Sequence, residues 1–434
     1  MDTFSAIKDL LMQKIQCLED NKQNYVKRPG IDFTRRRKLS FSDTILAVLS
    51  MSGSSIRGEL LEYFAFSSQT PTASAFVQQR AKLKTEAFRS LFYDFSSALP
   101  SSRQTKYHFL AVDGSEVLIP LEGENEAYGY FHRETQKQYH QIHLSAVYDL
   151  EDRRYLAAFI EPRKGHNERT ALHQLLEDHV FPENSVFICD RGYEGYPLLA
   201  HISRKGQYFV IRAKDRNPGG ILKGMDLPET GEFDVLFDKI CVNGITKNLV
   251  RYPDQYHRVH ATHTPYFLNR DVKEYRLTFR IVRLRLKTGE YECLLTNLPA
   301  NEFDLPALKE IYHRRWGIET SFRHLKHSIG LLYFHSKKIE SIEQEIWARL
   351  ILYNFCMAVV QRIEKRKSRS RYPTELNTAN AIRVCRRFLR IHSRESPSEC
   401  EQLISGELLP VRAERNSPRK KATQSPRKFN FRVC

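Results

Sequence analysis

The sequence predicts a mixed α/β fold, and three patterns along the chain support this prediction. Residues 1–105 place apolar side chains at helical spacing, residues 106–213 alternate short apolar strands with helices, and residues 214–298 contain long strands separated by turns. Strong helical periodicity returns at residues 305–338 and 342–365. Strands that alternate with helices in this way indicate a helix-covered sheet, interrupted by a β-rich insertion.

The size and charge of the chain indicate several structural units and a polyanionic partner. A length of 434 residues is more than one compact core usually holds. The chain has 68 Lys and Arg against 51 Asp and Glu, which gives a net charge of +17. Such an excess favours nucleic acid as the partner over a small neutral substrate.

Cysteine usage and hydropathy predict a protein of the reducing cytoplasm. The eight cysteines are scattered without a C-x-x-C pair, so neither a zinc site nor a redox motif is indicated. The amino terminus lacks the pattern of a signal peptide, and Arg349 and Asn354 interrupt the most apolar stretch, residues 346–360. Secretion and membrane insertion are both disfavoured.

The amino-terminal region carries the first candidate contacts to nucleic acid. Phe41-Ser42-Asp43 has the pattern of a helix start, and residues 72–84 predict a further helix after Pro71. Gln78 and Arg80 belong to a polar set on this second helix. We expect them to contact DNA phosphates and base edges.

Two segments of the following region share a sequence pattern, in which an apolar run is followed by an aspartate. Residues 109–112 run into Asp113-Gly114, and residues 186–189 run into Asp190-Arg191-Gly192. We predict a carboxylate at the end of each buried strand. A metal ion or hydrogen bonds must compensate the charge of such a carboxylate. The glycine that follows allows a ligand to approach closely. The alternative is an aspartate that simply opens a turn.

A third candidate carboxylate lies on the predicted helix at residues 305–338. At about 100° per residue, four side chains fall on one narrow edge beside the buried stripe. These are Tyr312, Arg315, Glu319 and Lys326. The alternative for Glu319 is an ordinary intrahelical ion pair with Arg315.

Together these three carboxylates have the chemistry of a divalent cation site. Asp113, Asp190 and Glu319 are expected to hold two Mg²⁺ ions, for which Mn²⁺ can substitute, because Mg²⁺ prefers carboxylate oxygen. Such a pair of ions activates a water or a 3′-hydroxyl for in-line phosphoryl transfer. Arg315 and Lys326 would then bind DNA phosphates.

The spacing Tyr312-(2)-Arg315-(3)-Glu319-(6)-Lys326 resembles the Y-(2)-R-(3)-E-(6)-K signature of IS4-family DDE transposases. Asp113 and Asp190 match the positions of that family's two aspartates. The resemblance implies an RNase H-like catalytic core with a β-rich insertion between the second aspartate and the glutamate, preceded by a helical DNA-binding domain.

The resemblance also implies roles for single residues and for partners. The three carboxylates become the catalytic, metal-binding triad, while Tyr312, Arg315 and Lys326 become contacts to the transposon end. Trp316 occupies the place of a tryptophan that stacks on a flipped base during hairpin formation. Arg191, in its Asp-Arg-Gly-Tyr context, is expected to contact DNA.

The partners are then double-stranded DNA, as inverted-repeat transposon ends and target DNA, and a second copy of the chain in a paired-end complex. The expected location is the bacterial cytoplasm, at the nucleoid.

The resulting prediction divides the chain into five parts. They are a helical DNA-binding domain at 1–105, the first part of the RNase H-like core at 106–213, a β-rich insertion at 214–298, the second part of the core at 299–365, and a basic region at 366–434 for dimerisation or DNA contact.

Residues 361–434 hold 19 Lys and Arg against 7 Asp and Glu, so they carry 12 of the 17 net charges. Ser417-Pro418-Arg419-Lys420 recurs at residues 425–428, which indicates either an arm for the DNA minor groove or a disordered basic tail.

The hypothesis is a cut-and-paste transposase that hydrolyses a strand, forms a hairpin and joins the ends to target DNA. Two alternatives stay open: a catalytically inactive DNA-binding regulator of transposition, and a structure-selective RNase H-like nuclease.

The H-x-x-H pairs at 140–143 and 324–327 lack a third ligand nearby, which disfavours zinc.

Overall fold

The computed structural model describes residues 3–101, 105–120, 125–132, 137–215, 220–259, 274–286, 288–367, 370–390 and 396–411. The basic repeat identified at 417–428 lies outside these ranges. The described residues form a mixed α/β structure with a large central sheet, which confirms the predicted fold class at that level.

Ten strands within the described residues form the central sheet. In chain order they are β1 (His108–Ile119), β2 (Gly129–His132), β3 (Lys137–Asp149), β4 (Arg154–Pro162), β5 (Ser185–Cys189), β6 (Tyr208–Ala213), β7 (Phe233–Asn243), β8 (Tyr256–Val259), β9 (Glu274–Arg285) and β10 (Tyr291–Thr296). Their order across the sheet is β2-β3-β1-β5-β6-β10-β9-β7-β8, and β4 also pairs with β3. β1, β3 and β4 form an antiparallel group, whereas β5 is parallel to both β1 and β6.

Helices cover both faces of this sheet. They are α1 (Thr3–Asp20), α2 (Phe41–Ser50), α3 (Ile56–Tyr63), α4 (Ala73–Arg80), α5 (Thr85–Ala98), α6 (Glu168–Asp178), α7 (Tyr196–Arg204), α8 (Lys247–Arg251), α9 (Leu305–Arg314), α10 (Trp316–Arg323), α11 (Ile339–Val360), α12 (Thr378–Phe388) and α13 (Pro397–Gly406). Two short strands, β11 (Thr374–Leu376) and β12 (Leu408–Pro410), pair separately. No helix in the described ranges is both long enough and apolar enough to span a membrane.

The alternation of side chains along β1 decides which helices meet the candidate site. Ala111 packs in the hydrophobic cluster that includes α10 and α11, while Leu110 and Val112 pack in the cluster that includes α6 and α7. Successive residues of a strand point to opposite faces. Asp113 therefore points to the side of α10, and Gly114 lies on the side of α6.

The amino-terminal helices share their core with the sheet. α1, α2 and α5 pack against α11, and all four contribute to the cluster that covers the α10 face of β1. α11 is buried along most of its length, from Ile342 to Val360. A helix that is apolar around its whole circumference is typical of the interior of a large structure, so α11 is the central helix on this face.

The strands of residues 214–298 extend the central sheet. β10 pairs antiparallel with β6, with Cys293 opposite Ala213, and β9 and β7 continue from β10. β10 also leads directly toward α9 and α10. The predicted β-rich segment thus adjoins the core through ladder hydrogen bonds.

Two predicted boundaries are wrong. β1 does not end before Asp113, because its pairing with β3 continues to Ile119 opposite His140. The helix predicted at 305–338 is broken: it is tightened at Arg315, where Ile318 N–H donates to Arg315 O, and residues 324–329 form a π-helix that ends at Gly330 with φ +100°. A left-handed glycine is a common helix stop.

Candidate active site

Asp113 and Asp190 lie side by side at the centre of the sheet. β1 and β5 are parallel neighbours, with Val112 opposite Cys189, so the next residue of each chain segment is an aspartate. Asp190 Oδ1 accepts a hydrogen bond from Gly192 N–H at 2.7 Å, and Asp113 Oδ1 accepts one from Gly114 N–H at 2.9 Å. The register therefore brings the two predicted carboxylates together.

Glu319 reaches the same place through Arg315. The Arg315 guanidinium donates to Glu319 Oε1 at 2.9 Å and lies 3.6 Å from Asp113 Oδ2. Arg315 is only 8% exposed, so this bridge is largely shielded from water. The intrahelical ion pair that the sequence left open is present, and it extends to a carboxylate on β1.

The carboxylates influence one another electrostatically. Burial raises the pKa of Asp113 to about 7, Arg315 opposes this rise, and the negative charges of Asp190 and Glu319 add to it. An acid that is both desolvated and close to like charges is stabilised by a cation. The cluster therefore has the electrostatic character of a cation site, with Arg315 as its countercharge in this structure.

The donor set fits a divalent metal ion by its chemistry. Carboxylate oxygens are the ligands that Mg²⁺ prefers, and Asp113, Asp190 and Glu319 supply them. Within the part of the chain that the structure describes, no three acidic, histidine or cysteine side chains are gathered closely enough to hold an ion as they stand. Arg315 lies between two of the three carboxylates.

The other residues of the predicted signature surround this cluster. Lys326 lies on the π-helix, and burial lowers its pKa while Glu116 and Asp113 oppose that effect. Tyr312 is buried, which raises its pKa to about 12, and the Arg315 guanidinium lies 5.8 Å from its ring centroid. Lys326 is thus close enough to Asp113 to interact with it electrostatically.

Trp316 differs from its neighbours in being exposed. Its side chain is 47% exposed, and the Arg315 guanidinium lies 5.7 Å from its ring centroid. A large aromatic ring beside an acidic cluster presents a surface on which a base can stack.

A basic cavity opens beside Asp190. It has a volume of about 360 Å³, and Arg169, Arg191 and Lys214 contribute cations to its wall. Glu194 is the carboxylate in the lining, and its Oε1 atom lies 3.7 Å from Lys214 Nζ. The exposed Arg191, predicted as a DNA contact, therefore belongs to a positively charged recess next to the carboxylates.

The two predicted contacts on α4 have different environments. Gln78 is exposed, as the prediction requires. Arg80 is 4% exposed and forms an ion pair with the fully buried Glu345 at 2.8 Å, so its guanidinium lies in the interior and not on the surface that the predicted DNA contact assumes. A guanidinium that neutralises an interior carboxylate is unavailable to a phosphate.

The sequence did not single out Glu168, and it indicated His143 only within the H-x-x-H pair at 140–143, for which zinc was disfavoured; both residues lie beside the aspartates. Glu168 is the first residue of α6; burial raises its pKa, and the charge of Asp190 raises it further. His143 is 3% exposed on β3, and its Nε2 atom lies 3.7 Å from Glu168 Oε1. The glycines after the two aspartates predicted that another group approaches the backbone closely, but they did not predict which side chain this group belongs to.

Comparisons relate the chain to known proteins. The transposase DDE domain family matches residues 104–355, which include all three carboxylates. Transposase InsG for insertion sequence element IS4 of Escherichia coli (strain K12) is 25% identical over 366 residues, which cover 80% of this chain and 75% of that protein. Among solved structures, the piggyBac transposase synaptic complex with hairpin DNA aligns with 96% of this chain and 86% of its own, with a TM-score of 0.48 and 11% identity.

More than half of the chain matches the family, and the Y-(2)-R-(3)-E-(6)-K spacing stands within the matched residues. The chain therefore belongs to the DDE transposases, in the IS4 family, whose activity is metal-dependent phosphoryl transfer on DNA during transposition.

Proposed function

We propose that Asp113, Asp190 and Glu319 are the catalytic residues and that they hold two Mg²⁺ ions. The observation that carries this proposal is the register of β1 and β5, together with the bridge from Asp113 to Glu319 through Arg315. When bound at such carboxylates, divalent ions activate the attacking oxygen and stabilise the leaving oxygen of an in-line displacement. Mn²⁺ has the same preference for oxygen and can replace Mg²⁺.

We assign the catalytic region to an RNase H-like core. Support comes from the strand order β4-β3-β1-β5-β6, in which an antiparallel group of three is continued by two parallel strands. The first acid lies on the strand that joins the two groups, and the second follows the adjacent parallel strand. This arrangement presents the acids where the carboxyl end of β5 opens toward solvent.

We infer that the cleaved strand passes the basic cavity and reaches the carboxylates beside Lys326. Arg169, Arg191 and Lys214 would bind phosphates of that strand, because cations that contact the backbone fix its register. Arg315 and Tyr312 are part of the same surface, and Gln78 on α4 is a further candidate contact. The substrate is the inverted-repeat end of a transposon, and the target is a second duplex.

The reaction we propose proceeds by hydrolysis, hairpin formation and strand transfer. The 3′-hydroxyl released by the first cut attacks a phosphodiester of the opposite strand, so the flanking DNA leaves with its own 3′-hydroxyl and a hairpin closes the transposon end. A second hydrolysis would open the hairpin and regenerate the 3′-hydroxyl that attacks the target DNA. Trp316 is exposed where it can stack on a base extruded from the hairpin. Extrusion costs a few kcal/mol, and aromatic stacking offsets a similar amount.

We propose a homodimer acting in the bacterial nucleoid. Two transposon ends have to be cut and joined to one target, and each chain offers one set of three carboxylates. A symmetric dimer is the simplest assembly that brings two such sites to two ends. The net charge of +17 fits an assembly that holds several DNA segments at once.

The test is cleavage of a labelled duplex that carries the element's inverted repeat, in Mg²⁺ or Ca²⁺, resolved on a denaturing gel. We expect Mg²⁺-dependent nicks at the repeat boundary, followed by hairpins and joined products. Asp190→Asn should abolish these products and leave binding of the duplex intact, while Glu183→Gln, an exposed acid, serves as the control.

Other outcomes of this cleavage assay would favour the alternative functions or change the catalytic set. Binding without cleavage by the unmodified chain would favour the inactive regulator, and cleavage that ignores the repeat would favour the structure-selective nuclease. Normal cleavage by Asp190→Asn would remove this residue from the catalytic set.

A further inference from the structure

We propose that Glu168 is a fourth carboxylate of the active site and takes part in holding the divalent cation beside Asp190. This inference rests on the proposed metal-binding role of Asp113 and Asp190. Glu168 begins α6, on the opposite face of the sheet from Glu319. It therefore closes the site from the side that the signature residues leave open.

The glycines after the two aspartates are what admit Glu168. A β-carbon on Gly114 would stand 2.6 Å from Glu168 Oε1, and one on Gly192 would stand 3.2 Å from Glu168 Oε2. Any side chain at Gly114 would displace the carboxylate, and one at Gly192 would press on it. The two oxygens of this one group thus touch the residue after Asp113 and the loop after Asp190.

Glu168 and Asp190 also converge on each other. The position of a β-carbon on Gly192 lies 3.0 Å from Asp190 Oδ1 and 3.2 Å from Glu168 Oε2. Oxygens of both carboxylates therefore lie within 3.2 Å of one point. A cation between two carboxylates that approach the same point is favourable, because each negative charge otherwise disfavours the ionised form of the other.

His143 provides a second, independent sign that a ligand belongs here. It is 3% exposed, and neither ring nitrogen has a hydrogen-bond partner among the described residues. Its Nε2 atom lies nearer than Glu168 to the position of a β-carbon on Gly114, so the ring edge faces the same recess. Its Nε2 atom lies 3.7 Å from Glu168 Oε1, which is beyond hydrogen-bond distance, and a buried polar group without a hydrogen bond calls for an explanation that a bound ligand would supply.

A purely structural role accounts for less of this arrangement. An acidic residue in the first turn of a helix is stabilised by the helix dipole, and Glu168 holds that position in α6. That effect does not require the carboxylate to contact both glycines or to lie beside Asp190. The approach to the aspartates is the feature that a role in cation binding explains.

The experiment is a titration of the full-length protein with Mn²⁺, in which the electron paramagnetic resonance signal reports the free ion. We expect Glu168→Gln to weaken Mn²⁺ binding by about tenfold or more, as loss of a supporting group at a metal site does. Duplex binding should not change, and the thermal midpoint in EDTA should not fall. Glu183→Gln should match the unmodified chain in every measurement.

Glu168→Asp guards against a folding defect, since it keeps the charge at the start of α6 and withdraws the carboxylate by one methylene. We expect intermediate Mn²⁺ affinity from this variant. Unchanged affinity in both Glu168 variants would overturn the inference. A loss in Glu168→Gln that Glu168→Asp restores in part or in full would support the inference, because the carboxylate is then the group that the ion requires.

Asp190→Asn separates this inference from the proposed catalytic set. If Asp190→Asn loses Mn²⁺ binding while Glu168→Gln keeps it, only the fourth carboxylate is refuted. If Asp190→Asn keeps Mn²⁺ binding, the proposed cation site itself is wrong, and the inference falls with it.

Discussion

Replacing Arg80 by Met should destabilise the protein without weakening its binding to DNA. Arg80 Nη1 lies 2.8 Å from Glu345 Oε1, and Arg80 Nε donates to Gln344 Oε1 at 2.9 Å. Arg80 is 4% exposed and Glu345 is completely buried. The substitution keeps much of the side chain's volume but leaves a carboxylate in the interior without its closest cation.

The pKa of Glu345 indicates the size of the effect. Burial alone would raise this pKa, but Arg80, His335 and Arg349 together lower it to about 2 from the ordinary 4.5. That difference corresponds to roughly 3 kcal/mol of stability at neutral pH. Loss of one partner from a buried ion pair costs about 3 to 5 kcal/mol, so we expect Arg80→Met to lower the free energy of unfolding by about 3 kcal/mol.

The pH dependence follows from the sign of the shift. A carboxylate with a depressed pKa in the folded state stabilises the fold above pH 4.5, and this contribution disappears as the pH falls toward 2. The difference between Arg80→Met and the unmodified chain should therefore shrink on acidification. Urea unfolding at pH 7 and at pH 3.5, followed by circular dichroism, measures both values.

Gln78→Met is the matched control, because Gln78 is exposed on the same helix. It should change the free energy of unfolding by less than about 0.5 kcal/mol. Folded Arg80→Met should bind the duplex with unchanged affinity and salt slope. Unchanged stability, combined with weaker binding and a salt slope reduced by about one, would refute this reasoning and restore Arg80 as a phosphate contact.

Three further predictions follow from the site and its support. Because burial raises the pKa of Asp113 to about 7, the free energy of unfolding should fall as the pH rises from 4 to 7. Without metal, Asp113→Asn should therefore stabilise the protein by a few kcal/mol at pH 8 and hardly at pH 4. Equal effects at both pH values would contradict this prediction. Gly114→Ala should cost about 1 to 3 kcal/mol in urea unfolding, since its β-carbon would collide with His143, and an unperturbed variant would show that the recess is wider. Asn354→Leu should cost about 2 to 5 kcal/mol, because Asn354 bonds both Tyr155 N–H and Tyr155 O at 2.8 Å, and a neutral result would mean that other groups satisfy this buried backbone.

Local pattern located the second aspartate correctly and misjudged the first. Asp190 follows β5 directly, as its sequence indicates. Asp113-Gly114-Ser115 has the same turn-like composition, yet it lies inside β1 because pairing with β3 continues through it to Ile119. Strand preference depends on cross-strand neighbours, and those neighbours are not visible in a stretch of seven residues.

The helical wheel grouped the signature residues successfully although the helix is not regular. The wheel assumes one uninterrupted α-helix, whereas the chain tightens at Arg315 and widens into a π-helix around Lys326. Lys326 is nevertheless close enough to Asp113 for this carboxylate to oppose the fall in the pKa of Lys326 that burial causes. A π-segment is common at functional sites because it re-aims a side chain within a helix.

One misjudged environment and one overlooked residue have long-range causes. Arg80 has the sequence context of a surface cation, and its burial depends on Glu345, 265 residues later in the chain. Glu168 has no motif of its own, and its approach to the aspartates depends on how α6 packs on β1 and β3. Composition and periodicity describe a residue's own segment, so neither partner could be inferred from them.

The two faces of β1 explain why one strand can serve both halves of the site. Asp113 points toward α10, where Arg315 balances it against Glu319, and Gly114 opens the other face to Glu168. Arg315 bridges two of these carboxylates and Lys326 lies near Asp113, so the four carboxylates of this partly buried site outnumber these two cations. Such a site opposes folding at neutral pH, and divalent cations bound at the carboxylates would compensate its excess negative charge.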